Sequence, residues 1–140
     1  MAVYNKFNQF VKDLIDGKHN FGSNTFKVML TNTAPVATNQ VKADITEISA
    51  GFGYTAGGTA TTVGESITSG VAKVTGTNVV FTAAGGSIGP FRYAVLYNDT
   101  QTSPAKPLVA WWDYGSSITL ADTETLTVSF DGTNGIFQLS

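Results

Sequence analysis

Residues Phe91 to Tyr97 are apolar on both alternating faces, with Phe91, Tyr93, Val95 and Tyr97 on one side and Ala94 and Leu96 on the other. Successive side chains of a strand point to opposite sides of the sheet, so such a run must be covered twice. A second run of the same kind, Leu108 to Tyr114, follows a connection rich in Asn, Thr and Pro. The two read as neighbouring central strands.

Other segments repeat the period of two. Phe26, Val28 and Leu30 alternate with Lys27, Met29 and Thr31, and Leu120, Leu126, Val128 and Phe130 form a later alternating series. Val71 to Val74 and Val79 to Phe81 read as strands separated by a turn at Gly76. Asp131 to Gly135 is a turn, and Ile136 to Leu139 a closing strand. Only the start of the chain departs from this pattern. From Val3 to Ile15 the apolar residues Val3, Phe7, Phe10, Val11 and Leu14 recur at spacings of three and four, which predicts an amphipathic helix within residues 1–18. Gly17 then suits the left-handed position after the helix, with Lys18 and His19 near its negative end. Around Ile45 and Ile48 the spacing predicts a short helical turn. Residues 49–70 are dominated by Gly, Thr, Ser and Ala and read as a flexible segment of loops with weak or edge strands.

The expected fold is therefore mainly β, a β-sandwich or barrel of about seven or eight strands with one N-terminal amphipathic helix. A chain of 140 residues supports one ordinary core, so residues 1–140 read as a single domain.

Composition narrows the function classes. Charged residues make up 13% of the chain, about half the usual share. The net charge of -2 and the scattered lysines leave no basic stripe for phosphate, so no direct nucleic-acid contact is expected. There is no cysteine for a disulfide or thiolate site. Asn5, Lys6, Asn8 and Gln9 interrupt any signal-peptide core, and no apolar run reaches bilayer length, so membrane association is not expected and synthesis in a cytoplasm is.

Several fragments imitate catalytic motifs. Gly51 to Ala56 fits G-x-G-x-x-A, but a Thr-rich stretch follows where a phosphate-binding helix would be needed. Gly85 to Gly89 fits G-x-S-x-G around Ser87, yet Pro90 and a strand come next, and the only histidine, His19, lies far upstream. His19 reads as a solvent-facing residue after the helix. Asp122 and Glu124 stand two apart in a turn setting, and Asp131 to Gly135 lacks the spaced carboxylates of a calcium loop. No catalytic set, metal site or cofactor is expected, and the chain reads as a non-enzyme.

Trp111 and Trp112 are adjacent, so in a strand they face opposite ways and each needs its own cover. That cover can come from the same domain, from a subunit interface, or from a sugar stacked on an exposed ring. With Phe52 and Tyr54 of the Gly/Thr-rich segment, the two tryptophans are the candidate interface residues.

From Ser87 to Gly115 the chain carries GPFRYAVLYNDT followed by PLVAWWDYG, and then SSITLADTETLTVSFDGTNGIFQL. These segments resemble a group of small proteins encoded in the structural modules of tailed phages and prophages. The opening KFNQFVKDLIDGKHNFGSNTFKVMLTNTAPVA is similar to their beginning, so the resemblance covers nearly the whole chain. It implies a virion structural protein. A capsid decoration or cement protein bound to the major capsid protein is the preferred station, with a tail or neck protein as the alternative. A homo-oligomer, with a trimer favoured, is the expected assembly; a carbohydrate-binding module is the reading from another class.

Overall fold

The computed structural model describes residues 2–140. The elements in chain order are β1 (Val3–Lys6), α1 (Asn8–Ile15), β2 (Phe26–Thr31), a 3-10 turn (Lys42–Asp44), β3 (Thr59–Thr61), β4 (Val63–Thr68), β5 (Val71–Gly76), β6 (Val79–Thr82), β7 (Ile88–Asn98), β8 (Leu108–Leu120), β9 (Thr125–Val128) and β10 (Phe137–Leu139). The fold is mainly β, as expected, but with ten strands in three antiparallel sheets and no closed barrel. The sheet orders are β1-β8-β7-β2-β3, β10-β5-β4 and β6-β9.

The five-stranded sheet holds the centre. Cross-strand partners share a face, so the pairings Leu30↔Ala94 and Ala94↔Trp112 put these residues on one side, and Met29↔Val95 and Val95↔Trp111 put theirs on the other. Both sides are covered. On the first, Phe21 stacks on Phe26 at 4.3 Å between ring centroids, Phe130 meets Trp112, and Val74, Phe81 and Val128 of the smaller sheets join the core. On the second, the connection between β2 and β3 folds back. The Lys42 ammonium lies over the Tyr97 ring, the Thr31 hydroxyl donates to the Thr46 carbonyl, and the Tyr97 hydroxyl donates to the Gly57 carbonyl.

The opening helix is shorter than its periodicity predicts. Val3–Lys6 pair with β8 from Asp113 to Ala110, Phe7 is an extended N-cap, and only Asn8 to Ile15 are helical. A three-and-four spacing across Val3 and Phe7 also fits a strand followed by a turn. The open edge of β8 offers a ladder to those residues and therefore wins. At its other end α1 closes as expected: Gly17 has φ +73°, its N–H donates to the Leu14 carbonyl, and the Lys18 N–H donates to the Asp13 carbonyl.

One other expectation is corrected. The turn expected at Ile45 to Ile48 lies one step earlier, at Lys42–Asp44, where the Asp44 carboxylate accepts from the Gln40 and Val41 N–H groups. Residues 49–70 contribute only edge strands, as their small residues led one to expect. They carry β3 and β4, and Gly58 (φ +79°) runs so close to β2 that a Cβ on it would stand 1.9 Å from the Val28 carbonyl oxygen.

These two glycines separate backbone conformation from close approach. Gly17→Ala, with nothing within 4 Å of its new methyl, should lose about 1–2 kcal/mol for the left-handed residue alone. Gly58→Ala adds a backbone collision and should lose about 3–5 kcal/mol in urea unfolding. Equal losses would contradict the close approach of residues 57–58 to β2.

Candidate functional site

The four aromatic residues singled out by the sequence do not form one surface. Tyr54 is 2% exposed. Its hydroxyl accepts from the Leu30 N–H at 3.0 Å and donates to Glu47 Oε1 at 2.6 Å, and the same carboxylate accepts from the Gly57 N–H and from Lys42 Nζ. Burial works to raise the Glu47 carboxyl, yet the bonds from Tyr54, Lys42 and Gly57 outweigh it and hold it below its ordinary value. Tyr54 is thus a fastening for the connection and is corrected as an interface residue. Phe52, at 57% exposure, is the member of the set that faces solvent.

Trp111 and Trp112 face opposite ways, as their adjacency requires, and each finds cover within the chain. Phe7 packs on Trp111 at 4.6 Å between centroids, while Tyr4 and Phe130 meet Trp112 edge-on. Trp112 is buried and Trp111 half-buried. A sugar platform needs an exposed ring face, which Trp112 does not offer.

His19 is also corrected. It is 6% exposed, set among the Phe10, Phe21 and Phe26 rings, and not solvent-facing. The Schellman turn at Gly17 reverses the chain and drives the ring inward. Asn98 Nδ2 stands 3.3 Å from His19 Nδ1 and can only donate, which assigns the imidazole proton to Nε2. That nitrogen and Asp13 Oδ2, on a residue 3% exposed, are the buried side-chain atoms without a hydrogen-bond partner among the described residues. Burial pulls the His19 pKa down to about 4, against a smaller upward pull from Asp13.

The motif look-alikes resolve into turns. Gly51 and Tyr54 exchange backbone bonds across a tight turn with no helix behind it, and Ser87 lies between a bend at Gly85 and Gly86 and the start of β7. Asp122 accepts from the Gly85 N–H, and Glu124 from the Ala121 N–H. Asp131 accepts from the Asn134 N–H, the Asn134 side-chain amide and the Thr133 N–H, which together hold its carboxyl below the ordinary value. Among the described residues no group of three or more His, Asp or Glu side chains is placed to hold a metal ion, and no helix is long and apolar enough to cross a membrane.

One concave feature was not read from the sequence. A cleft of about 780 Å³ opens on the Trp112 side of the central sheet. Tyr4, Trp112 and Tyr114 line it from the sheet, Val11 and Leu14 from α1, and residues 127–131 and 134–139 complete its walls. Burial raises the Tyr4 phenol to about 12, so it stays protonated at neutral pH. The cleft suits an apolar guest. A smaller one of about 380 Å³ lies beyond Leu14, Phe137 and Leu139, with His19, Glu65 and Lys73 among its lining residues. The alternating series through Leu126, Val128 and Phe130 and the closing strand Ile136 to Leu139 indicated strands here without indicating that they stand apart.

Compared with family models, with curated proteins and with solved structures, the chain matches none.

The buried histidine makes stability pH-dependent with a definite sign. Its folded pKa of about 4 lies below the ordinary 6.5, so between these values the unfolded chain binds the extra proton, and stability falls as pH falls. Urea unfolding should show about 2 kcal/mol less stability near pH 5 than near pH 7.5. His19→Gln should remove most of that difference. An unchanged difference in the variant would assign the effect to the carboxylates.

Proposed function

We propose that the chain is a structural subunit of a tailed-phage virion, seated on the outside of the head against the major capsid protein. The class comes from the resemblance of its sequence; the observation that carries the structural part is the placement of its exposed apolar side chains. Ile67 is 74% exposed, and it and Leu139 both pair with Ala72 across the β10-β5-β4 sheet, so they flank one position of a single row. Ile15 projects from the end of α1, next to Leu14 of the cleft wall. Large apolar side chains grouped beside an apolar cleft on a charge-poor chain suit a surface that neighbours cover. β4 adds an unpaired edge whose residues from Gly64 to Thr68 are all exposed.

In this reading the two smaller sheets form the second layer of a β-sandwich over the five-stranded sheet. Three copies assemble around their apolar surfaces, and the edge of β4 pairs with the capsid lattice. Each copy binds weakly by itself. A fixed lattice and several contacts per assembly make attachment lasting, because the second contact forms at a high effective concentration. The chain has no catalytic part in it.

Quantitative mass spectrometry of purified virions tests the station. A copy number on the scale of the major capsid protein supports decoration, whereas a single ring's worth of copies retained on isolated tails moves the protein to the tail or neck. Ile67→Lys should change folding stability by no more than about 0.5 kcal/mol and yet lower head occupancy. Full occupancy with the variant would remove Ile67 from the contact.

A further inference from the structure

Two sheets stop short of each other beside the cleft. β9 is paired only to β6, and β10 only to β5. Side chains alternate along a strand, so an unbroken run of residues lines one space where the strand turns its backbone edge toward it. Thr127 and Val128 of β9 line the large cleft together with the three residues that follow them, and Phe137, Gln138 and Leu139 of β10 line it together with the three that precede them. The free edges of β9 and β10 therefore bound a single gap. It is closed at one end by the turn whose ends, Asp131 and Gly135, form a bridge. Beyond that turn no backbone hydrogen bond crosses from one strand to the other among the described residues.

We propose that this gap is the seat of one added β-strand: an uncharged, extended peptide segment of another protein, with apolar side chains at alternate positions. The guest completes a continuous sheet in the order β6-β9-guest-β10-β5-β4. β9 and β10 run in opposite directions through their turn, so the guest lies antiparallel to one and parallel to the other, and both ladders are chemically open. Its backbone supplies the donors and acceptors that the two edges lack. Its inward side chains meet Tyr4, Trp112 and Tyr114, which is why alternate positions must be apolar. Lys6 and Asp131 are the charged residues on the cleft, one of each sign, and Asp131 is already occupied by its own turn, so the site has no pull for a charged guest.

The described residues offer no filler. Among the described residues the stretches with alternating apolar side chains are already paired in strands, and the connections between them are turns and irregular backbone. A second copy could enter only by giving up a strand of its own. The inference does not depend on the virion reading, because it follows from the two strand edges alone.

Titration of the isotopically labelled full chain tests it, with a short capped peptide in which valine alternates with threonine between terminal lysines. The expected result is saturable binding, with NMR shifts confined to residues 127–130, 136–139 and the cleft aromatics, and edge amides that exchange at least about tenfold more slowly when bound. The same peptide N-methylated at alternate backbone nitrogens keeps its side chains and loses donors; it should bind at least about tenfold more weakly. Equal binding of the two peptides would show an apolar sink and no strand addition, which overturns the proposal. So would an absence of shifts at millimolar peptide, or protection at the β1 or β4 edge instead. Protection that grows with protein concentration in the absence of peptide would assign the gap to a second copy and overturn the external guest.

Discussion

Everything in the molecule is arranged around the need to cover β7 twice. From Phe91 to Asn98 only Arg92 escapes burial, with β2 hydrogen-bonded on one side and β8 on the other. Its backbone is satisfied by the ladders, but its two rows of side chains need two separate covers. The smaller sheets and the Phe10, Phe21 and Phe137 cluster supply one. The other comes from a connection without long regular elements, and such a segment covers a sheet only if its own polar backbone finds partners. Glu47 solves that problem for the stretch around Tyr54 and Gly57. One carboxylate accepts from a phenol, an ammonium and a backbone N–H, and its ionised form is favoured despite partial burial.

The same requirement explains what could be read from residues alone. A strand with two apolar faces announces its place, so the β7 and β8 pair, β2 and the C-terminal strands were legible. The edge strand β1 was not, because Val3 to Lys6 carry no pattern of their own and take strand form from the edge they meet, and β3 was legible only as a weak or edge strand somewhere within residues 49–70. Tyr54 was misread because its neighbours are small and polar, and what buries it is a carboxylate seven residues earlier together with the distant β2. His19 looked like a surface residue by type and position. Its burial depends on a chain reversal after Gly17 and on Asn98, which lies 79 residues away.

The candidate site was legible in part for a related reason. Trp111 and Trp112 stood out, and their opposite facing follows from strand geometry, but their covers, Phe7 on one side and Tyr4 with Phe130 on the other, come from the two ends of the chain. A cleft between sheets is a property of how strands are spaced, and alternation within one strand says nothing about the distance to the next. The molecule thus combines a central sheet covered on both faces with a second layer that leaves the edges of β9 and β10 beside the cleft without partners. Unpaired edges invite association, and here they stand beside the apolar cleft and the exposed side chains Leu139 and Ile15.

That division between covered sheet and open second layer is tested most directly by native-state amide hydrogen exchange of the free protein at low concentration. The account predicts the slowest exchange in β2, β7 and β8, exchanging only through global unfolding, with the amides of β9 and β10 that do not bond to β6 or β5 exchanging orders of magnitude faster. Protection of those outward amides equal to that of β7 would mean that the edges are already paired, and would contradict the open second layer on which the account rests.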